Sequence, residues 1–168
     1  LQWLISPAQQ NMPRRVGVFQ MDASSKFKSS LPTTPDKLMA TLTSLDISFT
    51  THTHRPLRTV EDAKAFRGDL RGAHIKNLYL RDRKKRNFLL VAEEDKTIEL
   101  KLLPGLISCD RLSFGSADRL FEMLGVRPGA VSPFTLVNDS DHKVQLLLDA
   151  NLFDQPCLFA HPLVNDMT

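Results

Sequence analysis

The chain has 168 residues, 42% of them hydrophobic and 24% charged, which is the mix of one ordinary globular domain able to bury a core without staples. No apolar run approaches the roughly 18 residues of a membrane span, and the opening LQWLI has neither the basic flank nor the length of a secretory signal, so the expected compartment is the cytoplasm with no membrane partner. The net charge of +3 is unevenly placed: from Arg55 to Arg86 eleven Lys and Arg stand against four Asp and Glu, while the rest of the chain holds eleven against fifteen. Such a stretch suits a polyanionic partner, and RDRKKR at 81–86 suits a solvated turn equally well.

Residues 1–35 show no sustained period and are rich in Ser, Gln, Pro and Thr, so they read as a leader outside the core, with Met21 where a native start would fall. Pro35 and Asp36 open an amphipathic helix over 36–45, with Leu38, Met39, Leu42 and Leu45 at helical spacing. ISFTTHTH (47–54) alternates like a strand until Pro56. Thr59 and Asp62 suggest the start of a short helix that Gly68 closes. Residues 75–81 and 88–92 then form a hairpin around the basic turn.

The stretch from Thr97 to Ile107 fits a strand or a short helix, broken by Pro104 and Gly105. Ser116 caps a helix through Gly125 whose buried stripe is Leu120, Phe121 and Leu124. FTLVN (134–138) and VQLLLD (144–149) read as strands joined through a polar connection at 139–142, and CLFAH (157–161) as a further short strand. The expected fold is α+β: a mixed, mostly antiparallel, barrel-like sheet flanked by short helices.

The chain lacks the sequence patterns of a phosphate-binding loop, a dinucleotide fold, a zinc protease and an esterase elbow. Cys109 and Cys157 stand in no ligand spacing and read as buried free thiols. His52 and His54 share a strand face with no third ligand placed to make a metal set, and His142 is isolated. One residue stands out. In GAHIKNLYLRD (72–82) the alternation groups Lys76 with Leu78, Leu80 and Asp82, opposite Ile75, Asn77, Tyr79 and Arg81. A lysine at a strand end ordinarily snorkels to water, but if the leucine face closes over a cleft, its ammonium becomes a partly desolvated donor.

Three blocks in order, GAHIKNLYLRD (72–82), RLSFG (111–115) with LGVRPGAV (124–131), and FTLVND (134–139) with HPLVND (161–166), resemble the prolyl-tRNA editing superfamily of YbaK-like deacylases. They resemble most the free-standing alanyl-prolyl branch. The resemblance covers 36–168, which implies an editing domain over that span. It implies hydrolysis of the ester of mischarged alanyl-tRNA(Pro), with cysteinyl or seryl esters, or a non-catalytic tRNA- or synthetase-binding module, as alternatives. It implies no cofactor, no metal and no covalent enzyme intermediate, with the neighbouring ribose hydroxyl helping to activate water. Lys76 falls on the lysine of the family's pocket and Asn77 beside it, and the resemblance implies these two as the catalytic residues. His74, Gly115, Gly129, Asn138, Asp139 and His161 fall on pocket or pocket-loop positions, the glycines offering close backbone approach.

Arg81, Arg83, Lys84 and Arg111 are candidates for the tRNA acceptor end, with prolyl-tRNA synthetase a transient partner and DNA none. Two features depart from the family: Arg81 stands where lysine is common, and the chain stops soon after HPLVND, a C-terminus shorter than is usual.

Overall fold

The computed structural model describes residues 28–56 and 72–168. The helix expected over 59–68 and most of the expected leader lie outside the described residues. Helix α1 (Pro35–Ser44) begins where Thr34 Oγ1 accepts the Lys37 amide at 3.3 Å, with Pro35 in the first turn, where a missing N–H costs nothing. Pro35, Leu38 and Leu42 are its buried positions, whereas Leu45 is exposed. Leu31, within the stretch expected to stand outside the core, packs into the same cluster.

Strands β1 (Ala73–Asp82) and β2 (Asn87–Glu93) make the expected hairpin, in register from Ile75 with Glu93 to Arg81 with Asn87. Their alternation divides two cores. Ala73, Tyr79, Leu89 and Val91 face the larger one, shared with Leu38, Leu120, Leu124 and Val126. Leu78, Leu80, Phe88 and Leu90 face a smaller one closed by Leu112, Ile98 and Leu103. Because β2 is covered on both faces, its sequence is a continuous apolar run rather than an alternating one.

After β2 come helix α2 (Leu103–Ile107), strand β3 (Leu112–Phe114), helix α3 (Ala117–Leu124), and strands β4 (Val144–Leu148) and β5 (Leu158–Phe159). The sheet order is β3-β1-β2-β4, with β5 paired to β1. β1 runs antiparallel to β2 and β3, while β2–β4 and β1–β5 are parallel. The longest ladder is antiparallel and short helices flank it, so the α+β class holds. The sheet is open rather than barrel-like, since among the described residues nothing joins β3 to β4. β3 takes residues 80–82 of β1 and β5 takes 73–74 at its other end.

Several local expectations are corrected. FTLVN is not a strand but part of a 3₁₀ helix (Pro133–Asn138): Pro133 presets its first turn, and the Thr135 hydroxyl bonds back to Ser132 O at 2.7 Å. A short apolar run carries too little period to separate a buried strand from one helical turn. VQLLL therefore has no hairpin mate and enters the sheet in parallel beside β2, after a long crossover. Among the described residues the 47–54 strand shrinks to one bridge, Thr53 with Met167, near the end of the chain. Pro104 opens α2 rather than breaking it, and Ser108 at φ 52 ends it. On α3, Phe121 is exposed beneath Arg127, 5.3 Å from its ring, while Ser116 and Gly125 cap the helix as expected. Cys157 is exposed and Cys109 half-buried.

Candidate active site around Lys76

Lys76 sits half-buried on the β1 face that carries Leu78 and Leu80, opposite Ala92 of β2. Its ammonium donates to Glu94 O at 3.0 Å and to Lys96 O, both in the loop that follows β2. An ammonium has three N–H donors, so two are engaged by the loop and one is left for an incoming oxygen. Burial lowers its pKa, against the opposing charges of Asp95 and Glu94, which hold the ammonium form. His74, two residues earlier on the same face, stacks on Phe159 of β5 with ring centroids 4.5 Å apart and planes 7° from parallel.

The remaining expected residues divide between places. Asn77 points to the opposite face of β1, the face of Tyr79 and Val91, and its Oδ1 is buried with no hydrogen-bond partner among the described residues. Gly115 lies on that side too. Its amide donates to Tyr79 O at 3.0 Å, and an added Cβ would fall 2.3 Å from the Tyr79 ring, so it is a glycine of close packing whose N–H is already spent. Burial pushes the Tyr79 phenol up to about 12, and it donates to Asn87 Oδ1 at 2.9 Å.

Asn138 Nδ2 donates to Leu124 O at 2.9 Å, closing the end of α3. Asp139 is buried and spends both carboxylate oxygens on the amides of Lys143 and Val144, at 2.9 and 2.7 Å, which launches β4. Gly129, at φ 95, lies in the turn after α3. The structure thus brings Lys76 and His74 onto one face, leaves Asn77 on the other, and sets Gly115, Asn138 and Asp139 among contacts that hold the fold.

His161 lies near the chain end, beside His54. The segment carrying His52 and His54 pairs with residues 166–168 through three backbone hydrogen bonds, and the His54 and His161 rings are 6.0 Å apart. His52 also comes within 6.4 Å of the Phe159 ring. These histidines, scattered along the chain, therefore converge beside β5. Among the described residues no set of three or more His, Cys, Asp or Glu is arranged to hold a metal ion.

The basic turn projects from the far end of β1. Arg83, Lys84 and Lys85 are exposed, as is Arg111 just before β3. Arg81 is half-buried on the larger-core face, and Arg86 folds back onto Asp82.

A family pattern described as the aminoacyl-tRNA editing domain matches residues 54–168. The chain belongs to the aminoacyl-tRNA editing domain family. This editing-domain chain is 39% identical over 132 residues to the prolyl-tRNA editing protein ProX of Acetoanaerobium sticklandii, covering 78% of this chain and 80% of that one. It is 32% identical over 126 residues to the prolyl-tRNA synthetase associated domain-containing protein 1 of Danio rerio, covering 74% and 68%. Two solved structures share the fold at 18% identity: a hypothetical protein, with a TM-score of 0.64 over 77% of this chain and 84% of that one, and a candidate trans-editing enzyme for prolyl tRNA synthetase, with 0.63 over 79% and 82%. The resemblance carried by the three motif blocks is borne out. Sequence reasoning missed the two groups that hold Lys76, because a main-chain carbonyl can belong to any residue and leaves no mark in the sequence.

Proposed function

We propose that this editing-domain protein acts in trans as a deacylase that hydrolyses the ester of mischarged alanyl-tRNA(Pro). The observation that carries the reading is the likeness to a prolyl-tRNA editing protein over four fifths of that relative's length. The Lys76 geometry supplies a chemistry for it. Water adds to the ester carbonyl carbon, charge gathers on the carbonyl oxygen, and the third N–H of Lys76 stabilises it in a partly dry site. The bond to the ribose oxygen then breaks, that oxygen takes a proton, and free alanine and tRNA leave. In this reading the neighbouring ribose hydroxyl orients the water, and neither a metal nor a nucleophilic side chain takes part. Selection is steric: a small pocket admits alanine and excludes the larger proline ring.

The basic turn supports the placement of the nucleic acid. From Lys76 to Asp82 the strand rises about 20 Å at roughly 3.3 Å per residue. At about 3.4 Å per stacked nucleotide, an ester held at Lys76 brings the phosphates some six nucleotides away to Arg83, Lys84 and Arg111.

The test is deacylation of a panel of aminoacyl-tRNAs by the wild type and Lys76→Ala. The expected result is preference for alanyl-tRNA(Pro) and a loss of about 10²–10³-fold in kcat for the variant. Preference for cysteinyl- or seryl-tRNA(Pro) would move the substrate within the same chemistry. Binding of tRNA without hydrolysis would replace the enzyme by a binding module.

A further inference from the structure

Lys96 uses both of its ends. Its carbonyl oxygen accepts from the Lys76 ammonium, and its own ammonium meets Asp149 Oδ1 at 2.6 Å. The two sides of that pair differ, since the Asp149 side chain is 6% exposed and that of Lys96 41%. Asp149 is fixed to the sheet: it follows β4 directly, its amide donates to Val91 O of β2 at 2.9 Å, and its carboxylate also accepts the Asn151 amide. The 94–96 loop is further tied by Glu94 N to His74 O at 2.8 Å and by Lys96 N to Glu93 O at 3.1 Å. A pair between two exposed side chains contributes little to stability, but here one partner is a buried carboxylate anchored on β2. The other partner carries one of the carbonyls that aim Lys76.

We infer that Lys96, through its ion pair with Asp149, is a positioning residue for Lys76, an assignment that rests on the editing reading of that site. With the pair intact, the carbonyls of 94 and 96 stand still and the remaining N–H of Lys76 points one way. Without it the loop loosens, and an ammonium on a four-carbon stem regains its rotamers. Positioning of this kind acts on the chemical step more than on the capture of tRNA.

The experiment compares Lys96→Met, Lys96→Arg and Asp149→Asn with the wild type, with Lys101→Met, an exposed lysine, as control. Lys96→Met and Asp149→Asn are expected to lower kcat about tenfold with KM little changed, and Lys96→Arg, which keeps the charge, to restore most of the rate. A second readout needs no activity: the side-chain NMR signal of Lys76, assigned by its loss in Lys76→Ala, should shift in Lys96→Met and stay in place in Lys101→Met. An unmoved Lys76 signal in Lys96→Met overturns the assignment whatever happens to the rate. If the wild type deacylates no aminoacyl-tRNA while that signal moves, the positioning stands and the editing reading falls.

Discussion

Asp82, only 5% exposed as a residue, closes the basic turn with a buried carboxylate. It accepts the Arg86 amide at 2.9 Å, Arg86 Nε at 2.8 Å and the Asp110 amide at 3.4 Å. Burial alone would push its pKa up, but the hydrogen bonds and the Arg86 charge outweigh burial and hold it below the usual carboxylate range. The folded state therefore binds this proton more weakly than the unfolded chain does. Its contribution is complete above the usual carboxylate value and is lost as pH falls through the depressed folded value. Asp82→Ala is expected to cost about 2–4 kcal/mol in urea denaturation at pH 7, since it strands buried donors; a cost under about 0.5 kcal/mol would mean water takes over those bonds. The sequence shows an acid at the head of a basic run. It does not show that this acid is buried, because burial depends on β3 and the Asp110 backbone arriving from 28 residues away.

At the scale of elements, the segment 52–54 and the chain end 166–168 form a clasp. His52 N donates to Thr168 O at 2.7 Å, His54 N to Asp166 O at 3.0 Å and Thr168 N to His52 O at 3.0 Å. His161 lies beneath it, with Nδ1 2.8 Å from Met167 O, and Lys28 pairs with Asp166 at 2.8 Å. Burial lowers the His161 pKa, His54 adds to the lowering, and the Met167 carbonyl and Asp166 oppose it. The unfolded chain takes up a proton at this position as pH falls below about 6.5 while the folded one resists, so stability falls with acid. Urea midpoints are expected to drop from pH 7 to pH 5 in the wild type and to drop less in His161→Gln. Equal slopes in the two proteins would remove His161 as the cause. The period-two grouping of His52 and His54 was readable, and both are half-buried in the fold. Their partner was not, since a strand pattern does not say which distant segment completes its ladder.

For the whole molecule, the distance between Lys76 and the basic turn makes their proposed roles separable. Arg83→Ala, Lys84→Ala and Lys85→Ala combined should raise KM for tRNA at physiological salt and flatten the salt dependence of binding, by up to about 0.7–0.9 in slope per phosphate lost. An unchanged slope would assign the turn to solvent. The α+β class, the β1–β2 hairpin, both long helices, the Ser116 and Gly125 caps of α3, the grouping of Lys76 with Asp82 and the leucines and apart from Asn77, and the family were legible before any fold was known, because each is written in local period, capping chemistry or linked motifs. The run 133–138 was too short for its period to separate a strand from the 3₁₀ helix it forms. That β4 lies parallel to β2 and that Lys76 is held by the carbonyls of residues 94 and 96 came only with the folded chain, and one cause underlies both. Each depends on which distant backbone arrives beside a given residue, and main-chain donors and acceptors are the same whatever side chain they carry.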